Sequence, residues 1–134
     1  MISRTNPNLF LLLNHQFTSE QEEDARVRLQ IGSVRRPPSE TQPLWGRVPP
    51  DLEEIACFLD PFKEWLRREA KVGDLVLIQG DFGACYLMVR FAFDSGLVPV
   101  YATTERQATE ELLEDGTIRL VHTFKHRRFR QYGR

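Results

Sequence analysis

The stretch Asp74 to Tyr86, DLVLIQGDFGACY, constrains the fold more than any other part of the chain. Leu75 to Ile78 form a short apolar run that reads as a buried strand. Gly80-Asp81-Phe82-Gly83 then turns the chain into an apolar helix, Ala84 to Phe93. Strand, glycine turn and helix in that order make the first half of a βαβ unit, and so predict an α/β class. The turn falls at the carboxyl end of its strand, where open α/β sheets bind ligands. Two glycines admit close backbone approach, and free N–H groups at a helix start suit an anion such as phosphate. The same residues also describe an ordinary tight turn in which Asp81 caps the helix.

A length of 134 residues predicts one domain with a proper core, and 41% hydrophobic residues allow it to fold alone or as a small oligomer. The longest apolar runs, such as Leu9 to Leu13, are too short to span a bilayer. No secretory signal is expected, since Asn14-His15-Gln16 follows that run directly. Cys57 and Cys85 lie in apolar helical contexts and read as buried thiols of a cytoplasmic protein, with no zinc pattern. The net charge of −1 conceals an asymmetry: residues 117–134 carry six Lys/Arg, two His and no carboxylate. A general basic field for duplex DNA is absent, whereas a local cationic patch suits a compact anionic ligand.

Along the chain, residues 9–13 form the first strand, followed by a loop at residues 14–17. Thr18 starts a helix reaching about Gln30, and Thr18-x-x-Gln21 is a capping box. A short strand is predicted at residues 30–34. Residues 35–50 hold five of the eight prolines and form a connecting loop carrying Trp45. Leu52, Ile55, Ala56 and Leu59 keep helical spacing, predicting a helix from Asp51, and Asp60-Pro61 starts another with Phe62, Trp65 and Leu66 inward. Gly96 closes the helix after the glycine turn. Residues 97–101 form the next strand, and residues 102–106 a loop at its carboxyl end. Residues 107–114 favour helix by composition, but Asp115-Gly116 and the alternation from Thr117 to Phe124 predict a hairpin or strand at the end of the chain.

In a doubly wound sheet the loops at residues 14–18, 80–83 and 103–106 converge on one crevice able to hold phosphates and riboses. Neither Walker A nor the dinucleotide G-x-G-x-x-G is present. His15 is either a surface residue or a general acid/base. Arg106 is a surface arginine or a phosphate partner with a planar fork, and Asp81 is a cap or a catalytic carboxylate. His122 and His126 lie about 13 Å apart if on a strand, too far to share one metal ion. The basic run from Lys125 to Arg130, interleaved with Phe124, Phe129 and Tyr132, is a solvated edge, a dimer contact or an adenine-stacking surface.

Several blocks together carry a resemblance. They are Asn14-His15-x-x-Thr18-x-x-Gln21-x-x-Asp24-Ala25, Trp45 with Pro49-Pro50, Gly73-Asp74-x-Val76-Leu77-Ile78-Gln79-Gly80-Asp81-Phe82-Gly83-Ala84, Pro99-Val100-Tyr101-Ala102-Thr103-Thr104-x-Arg106, and Phe124-x-His126-x-x-Phe129-Arg130-x-Tyr132. The chain resembles a small stand-alone accessory family of type III CRISPR systems, related to CARF (CRISPR-associated Rossmann fold) domains. The resemblance covers Leu9 to Tyr132. It implies a Rossmann-like, mostly parallel sheet flanked by helices, and a homodimer binding cyclic oligoadenylate, above all the tetra-adenylate, in a cleft across its two-fold axis. It also implies ring nuclease activity that switches off antiviral signalling.

The expected chemistry needs no metal and no cofactor. A ribose 2′-OH attacks its own 3′-phosphate, leaving a 2′,3′-cyclic phosphate and a free 5′-OH, so the protein orients the sugar and stabilises charge. His15, Thr104 and Arg106 are the catalytic candidates. Asn14, Thr18, Gln79, Gly80, Asp81, Phe82, Gly83, Thr103 and His126 are the ligand-binding ones, with His126 also a rival acid/base. The alternatives are a non-catalytic sensor or sponge for the same ligand, and a generic nucleotide or phosphosugar enzyme.

Overall fold

Two strands whose side chains are buried on both faces set the architecture. In the computed structural model, which describes residues 6–134, β1 (Leu9–Leu12) and β3 (Leu75–Ile78) lie side by side in parallel, Leu9 opposite Leu75 and Leu12 opposite Ile78. All eight residues are buried. A strand buried on both faces needs a helical layer on each side, so the chain builds three layers. β2 (Val34–Arg35) pairs parallel outside β1, and β4 (Val98–Leu112) pairs parallel with β3. β5 (Ile118–Gln131) runs antiparallel along β4, giving the order β2-β1-β3-β4-β5.

On one face Leu9, Leu11, Leu75, Leu77 and Val100 pack with Phe17, Ala25 and Phe129 under α1 (Ser19–Arg28). On the other, Phe10, Leu12, Val76 and Ile78 meet α2 (Asp60–Glu69) and α3 (Phe82–Asp94) through Phe62, Trp65, Ala84 and Met88. Each large apolar side chain so buried is worth about 1.5–3 kcal/mol. Edge-on aromatic pairs, Phe10 with Trp65 at 5.3 Å and Trp45 with Phe62 at 5.4 Å, fix the second layer's geometry.

The expected caps are present. The Thr18 hydroxyl accepts from the Gln21 N–H at 3.2 Å, and the Gln21 amide oxygen accepts from the Thr18 N–H at 2.9 Å. Asp81 caps α3, accepting from the Ala84 N–H at 3.0 Å. Gly96 takes the left-handed φ of +74° after α3.

Four expectations are corrected. No α-helix forms from Asp51; residues 51–56 are irregular, and one short tight turn covers Cys57–Leu59. Of the residues in the helical pattern only Leu59 is buried; Ile55 is half-buried against the core, and Leu52 and Ala56 are exposed. The strand expected at residues 30–34 is confined to Val34–Arg35. Cys57 is exposed rather than buried, and Cys85 is half-buried.

The fourth correction matters most for function. Residues 102–106 are not a loop but a continuation of β4, which runs on to Leu112 and returns as β5. The sheet is therefore mixed, and its longest ladder is antiparallel. Val100 is the last β4 residue near the parallel ladder, paired with Leu77. From there to Leu112, at about 3.4 Å per residue, the hairpin reaches up to about 40 Å. A bulge marks its base: Thr103 pairs with Arg128 and Thr104 with His126, leaving Arg127 as the extra residue.

Gly80 has a packing reason to be glycine. A Cβ there would lie 2.8 Å from Trp45 Nε1, the atom that donates to the Gln79 carbonyl at 2.7 Å. Gly80→Ala is expected to lower stability by about 1–3 kcal/mol through this overpacking. Urea denaturation followed by Trp fluorescence measures it, and an unchanged midpoint would refute the assigned contact.

Candidate functional site

The carboxyl edge of the parallel strands is organised by Gln79. Its N–H donates to Leu12 at 2.9 Å, and its side-chain oxygen accepts from the Ala102 N–H at 2.6 Å. The side chain thus joins β3 to β4 just beyond their ladder and separates two clefts, one on each face.

The first cleft, about 530 Å³, lies on the α3 face between Gln79, Gly80, Phe82, Tyr86, Tyr101 and Tyr132. Its walls are aromatic. The Tyr101 and Tyr132 rings stand 4.8 Å apart, and the Tyr132 hydroxyl donates to Ile78 O at 2.6 Å. Phe82 is 95% exposed at the mouth. Burial pushes the Cys85 thiol up, and the Asp81 charge adds to this against a partly offsetting backbone hydrogen bond from Gly80. Cys85 is thus disfavoured as a thiolate nucleophile.

The second cleft, about 470 Å³, lies on the α1 face and is lined by His15, Gln16, Thr18, Thr104, Phe124 and His126, among others. His15 extends from the end of β1 and is exposed. The His126 side chain is 6% exposed, and its Nε2 meets Asp24 Oδ2 at 2.7 Å. The other oxygen of Asp24 accepts from Arg28 Nε at 3.1 Å. His126 Nδ1 is enclosed and has no hydrogen-bond partner among the described residues; in the tautomer whose Nε2–H donates to Asp24, Nδ1 carries the ring's lone pair. A carboxylate fixing the tautomer of a histidine beside a second histidine is an arrangement suited to moving protons.

The expected residues divide between these places. His15, Thr18, Thr104 and His126 come together in the second cleft. Gln79, Gly80 and Phe82 line the first, with Asp81 and Gly83 forming the adjoining helix start. Asn14 faces neither and lines a third hollow with Ser39, Gln42 and Arg47. The Thr103 hydroxyl donates to Arg128 O at 3.0 Å and accepts from the Arg128 N–H, so it is committed to the base of the hairpin. Arg106 lies further along the hairpin, where its Nε donates to His122 Nδ1 at 3.2 Å. Nothing local in the sequence marks Asp24, Tyr86 or Tyr101 as cleft residues. Asp24 reads in sequence as one of four acidic residues favouring the start of α1, and nothing local couples it to His126.

The fold and its clefts define an α/β protein with a five-stranded mixed sheet and hollows at the carboxyl edge, two of which flank the base of a long hairpin. The chain belongs to the family described as the Uncharacterized protein MJ1673 family, whose profile matches residues 7–130. A relative from Methanocaldococcus jannaschii, described as Uncharacterized protein MJ1673, is 48% identical over 127 residues, covering 95% of this chain and 98% of the relative. No solved structure matches the chain. Among the described residues no helix is long and apolar enough to cross a membrane.

The Tyr132 phenol is pushed up to about 12, first by burial and then by the neighbouring Cys85 and Tyr101. The folded value lies above the unfolded value near 10, so the contribution to stability is present below pH 10 and is lost as pH rises towards 12. Urea midpoints should therefore fall more steeply above pH 10 in the wild type than in Tyr132→Phe. Parallel declines would show that Tyr132 does not carry the effect.

Proposed function

We propose that the protein is a metal-independent ring nuclease, acting in the cytoplasm as a Rossmann-like (CARF-like) homodimer on cyclic oligoadenylate, above all the tetra-adenylate. Such cleavage would switch off type III CRISPR antiviral signalling. One observation carries the reading: His15 and His126, far apart in sequence, line the same cleft, and His126 is oriented by Asp24.

Transesterification by a ribose 2′-OH needs one group to take the hydroxyl proton and another to protonate the departing 5′-oxygen. In this reading His126 Nδ1 takes the 2′-OH proton as the oxygen attacks its own 3′-phosphate. The bond from phosphorus to the 5′-oxygen breaks, His15 protonates that oxygen, and a 2′,3′-cyclic phosphate remains. Thr18 and Thr104 hold ribose and phosphate oxygens, and Arg106 adds positive charge from the adjoining strand. In this reading the ring straddles the sheet edge at Gln79. An adenine then stacks in the aromatic cleft, with its phosphate near Gly80 and the start of α3.

The enclosure of His126 Nδ1 favours a second reading, a sponge that binds the ring without cutting it. Mixing the protein in excess EDTA with cyclic tri-, tetra- or hexa-adenylate and weighing the products separates the two. A ring nuclease turns over excess tetra-adenylate to linear products ending in 2′,3′-cyclic phosphate. His126→Ala and His15→Ala each then lose about 10²- to 10⁴-fold in rate. Intact release would leave only the sponge, and loss of wild-type activity in EDTA would exclude the metal-free route.

A further inference from the structure

The hairpin beyond the bulge is a two-stranded ribbon, a structure that is marginal in water unless one face is covered. Its two faces differ sharply. One carries Glu105, Glu111, Arg119 and Arg127, joined across the strands by Arg119–Glu111 at 2.6 Å and Arg127–Glu105 at 3.2 Å. The other, by the strand alternation and register, carries Leu112 opposite Ile118, Glu110 opposite Leu120, Ala108 opposite His122, and Arg106 opposite Phe124. Its large apolar members are open to solvent: Leu112 75%, Ile118 63%, Leu120 56% and Phe124 68% exposed.

The charges on this second face say what covers it. Arg106 and Glu110 are its two formally charged residues between Thr104 and Leu112, and neither makes an ion pair within the chain among the described residues. Four residues apart on one strand, they are separated by about 13 Å and cannot reach each other. They are, however, placed symmetrically about the Ala108–His122 pair.

We infer that this face packs against the same face of a second copy of the chain, about a two-fold axis that runs midway between the two ribbons, over the Ala108–His122 pair. Two ribbons stacked face to face lie about 10 Å apart, as sheets do. The axis sets Arg106 of each copy against the partner's Glu110, so the interface contains two ion pairs and no unpaired charge. It also sets Phe124 against the partner's Leu120. Small Ala108 lies at the axis.

The two-fold has a further consequence for the clefts. It brings Leu112 and Ile118 at the tip of one hairpin over Thr104 and His126 at the base of the other. The partner copy thereby roofs the second cleft and shields it from water. The two copies of the second cleft, one in each chain, stand about 27 Å apart, eight residue steps of about 3.4 Å, so each serves its own ligand rather than sharing one across the axis. The assembly itself does not rest on the identity of that ligand.

The test is sedimentation of the whole chain without ligand at about 10–100 μM, a range suited to an interface of modest area. The wild type is expected to be a dimer. Arg106→Glu and Glu110→Arg, both at exposed positions, should each weaken association at least about tenfold, and the doubly exchanged chain should recover it. Leu120→Asp should be monomeric with an unchanged circular dichroism spectrum. A monomeric wild type, a dimer that neither single exchange weakens, or a double exchange without recovery would overturn the inference. None of these outcomes depends on whether cyclic oligoadenylate is bound or cut.

Discussion

The carboxyl edge of the sheet hangs on the hydrogen bonds that converge on Gln79. Its N–H closes the β1–β3 ladder at Leu12, its carbonyl receives Trp45 from the proline-rich loop, and its side chain receives the Ala102 N–H where β4 leaves its neighbour. Strand ends normally leave backbone groups to water or to a loop. Here a single residue satisfies groups from three separate segments. Without the Gln79 side chain, the Ala102 N–H would lose its partner, a loss of about 1–3 kcal/mol for a buried group.

Those parts of the fold that bury both faces of a strand, or that satisfy their own ends, were legible in the sequence. Leu9 to Leu12 and Leu75 to Ile78 are uninterrupted apolar runs with one sensible environment. The capping box at Thr18 and Gln21 closes within a single turn, so it needs no tertiary context. The hairpin arm was legible at its turn, in its returning strand and, through that turn, in the outgoing strand from residue 107, but not at residues 102–106, which were expected as a loop. Residues 102–112 lack a core face, so their alternation is largely between polar side chains, and their composition resembles that of a loop or an exposed helix. The pattern from Leu52 to Leu59 failed for the converse reason: helical spacing was present, but only Leu59 and part of Ile55 reach the core, while Leu52 and Ala56 face solvent.

The candidate site divided along the same lines. His15 and Thr18 follow from the position of β1, and Gly80 and Phe82 from the strand-to-helix turn. The link between Asp24 and His126 spans most of the chain and depends on α1 lying across the root of the hairpin, which no local pattern encodes. Thr103 and Thr104 are adjacent and chemically alike, yet one is committed to the backbone of Arg128 while the other lines the histidine cleft. Only the path of β4 distinguishes them.

That path is phased by one residue. His126 and Phe129 are an odd number of positions apart, and on a regular strand they would point to opposite faces. Both face α1 because Arg127 is extra, so the bulge rotates the whole arm by one step relative to the body. The arm's length is therefore quantised. Adding or removing two residues from each strand preserves its charged and apolar faces, whereas a single-residue change in one strand exchanges that strand's faces beyond the change. A change of hairpin length that keeps both faces therefore comes in paired steps, and Arg127 is the position at which the ladder accommodates one unpaired residue.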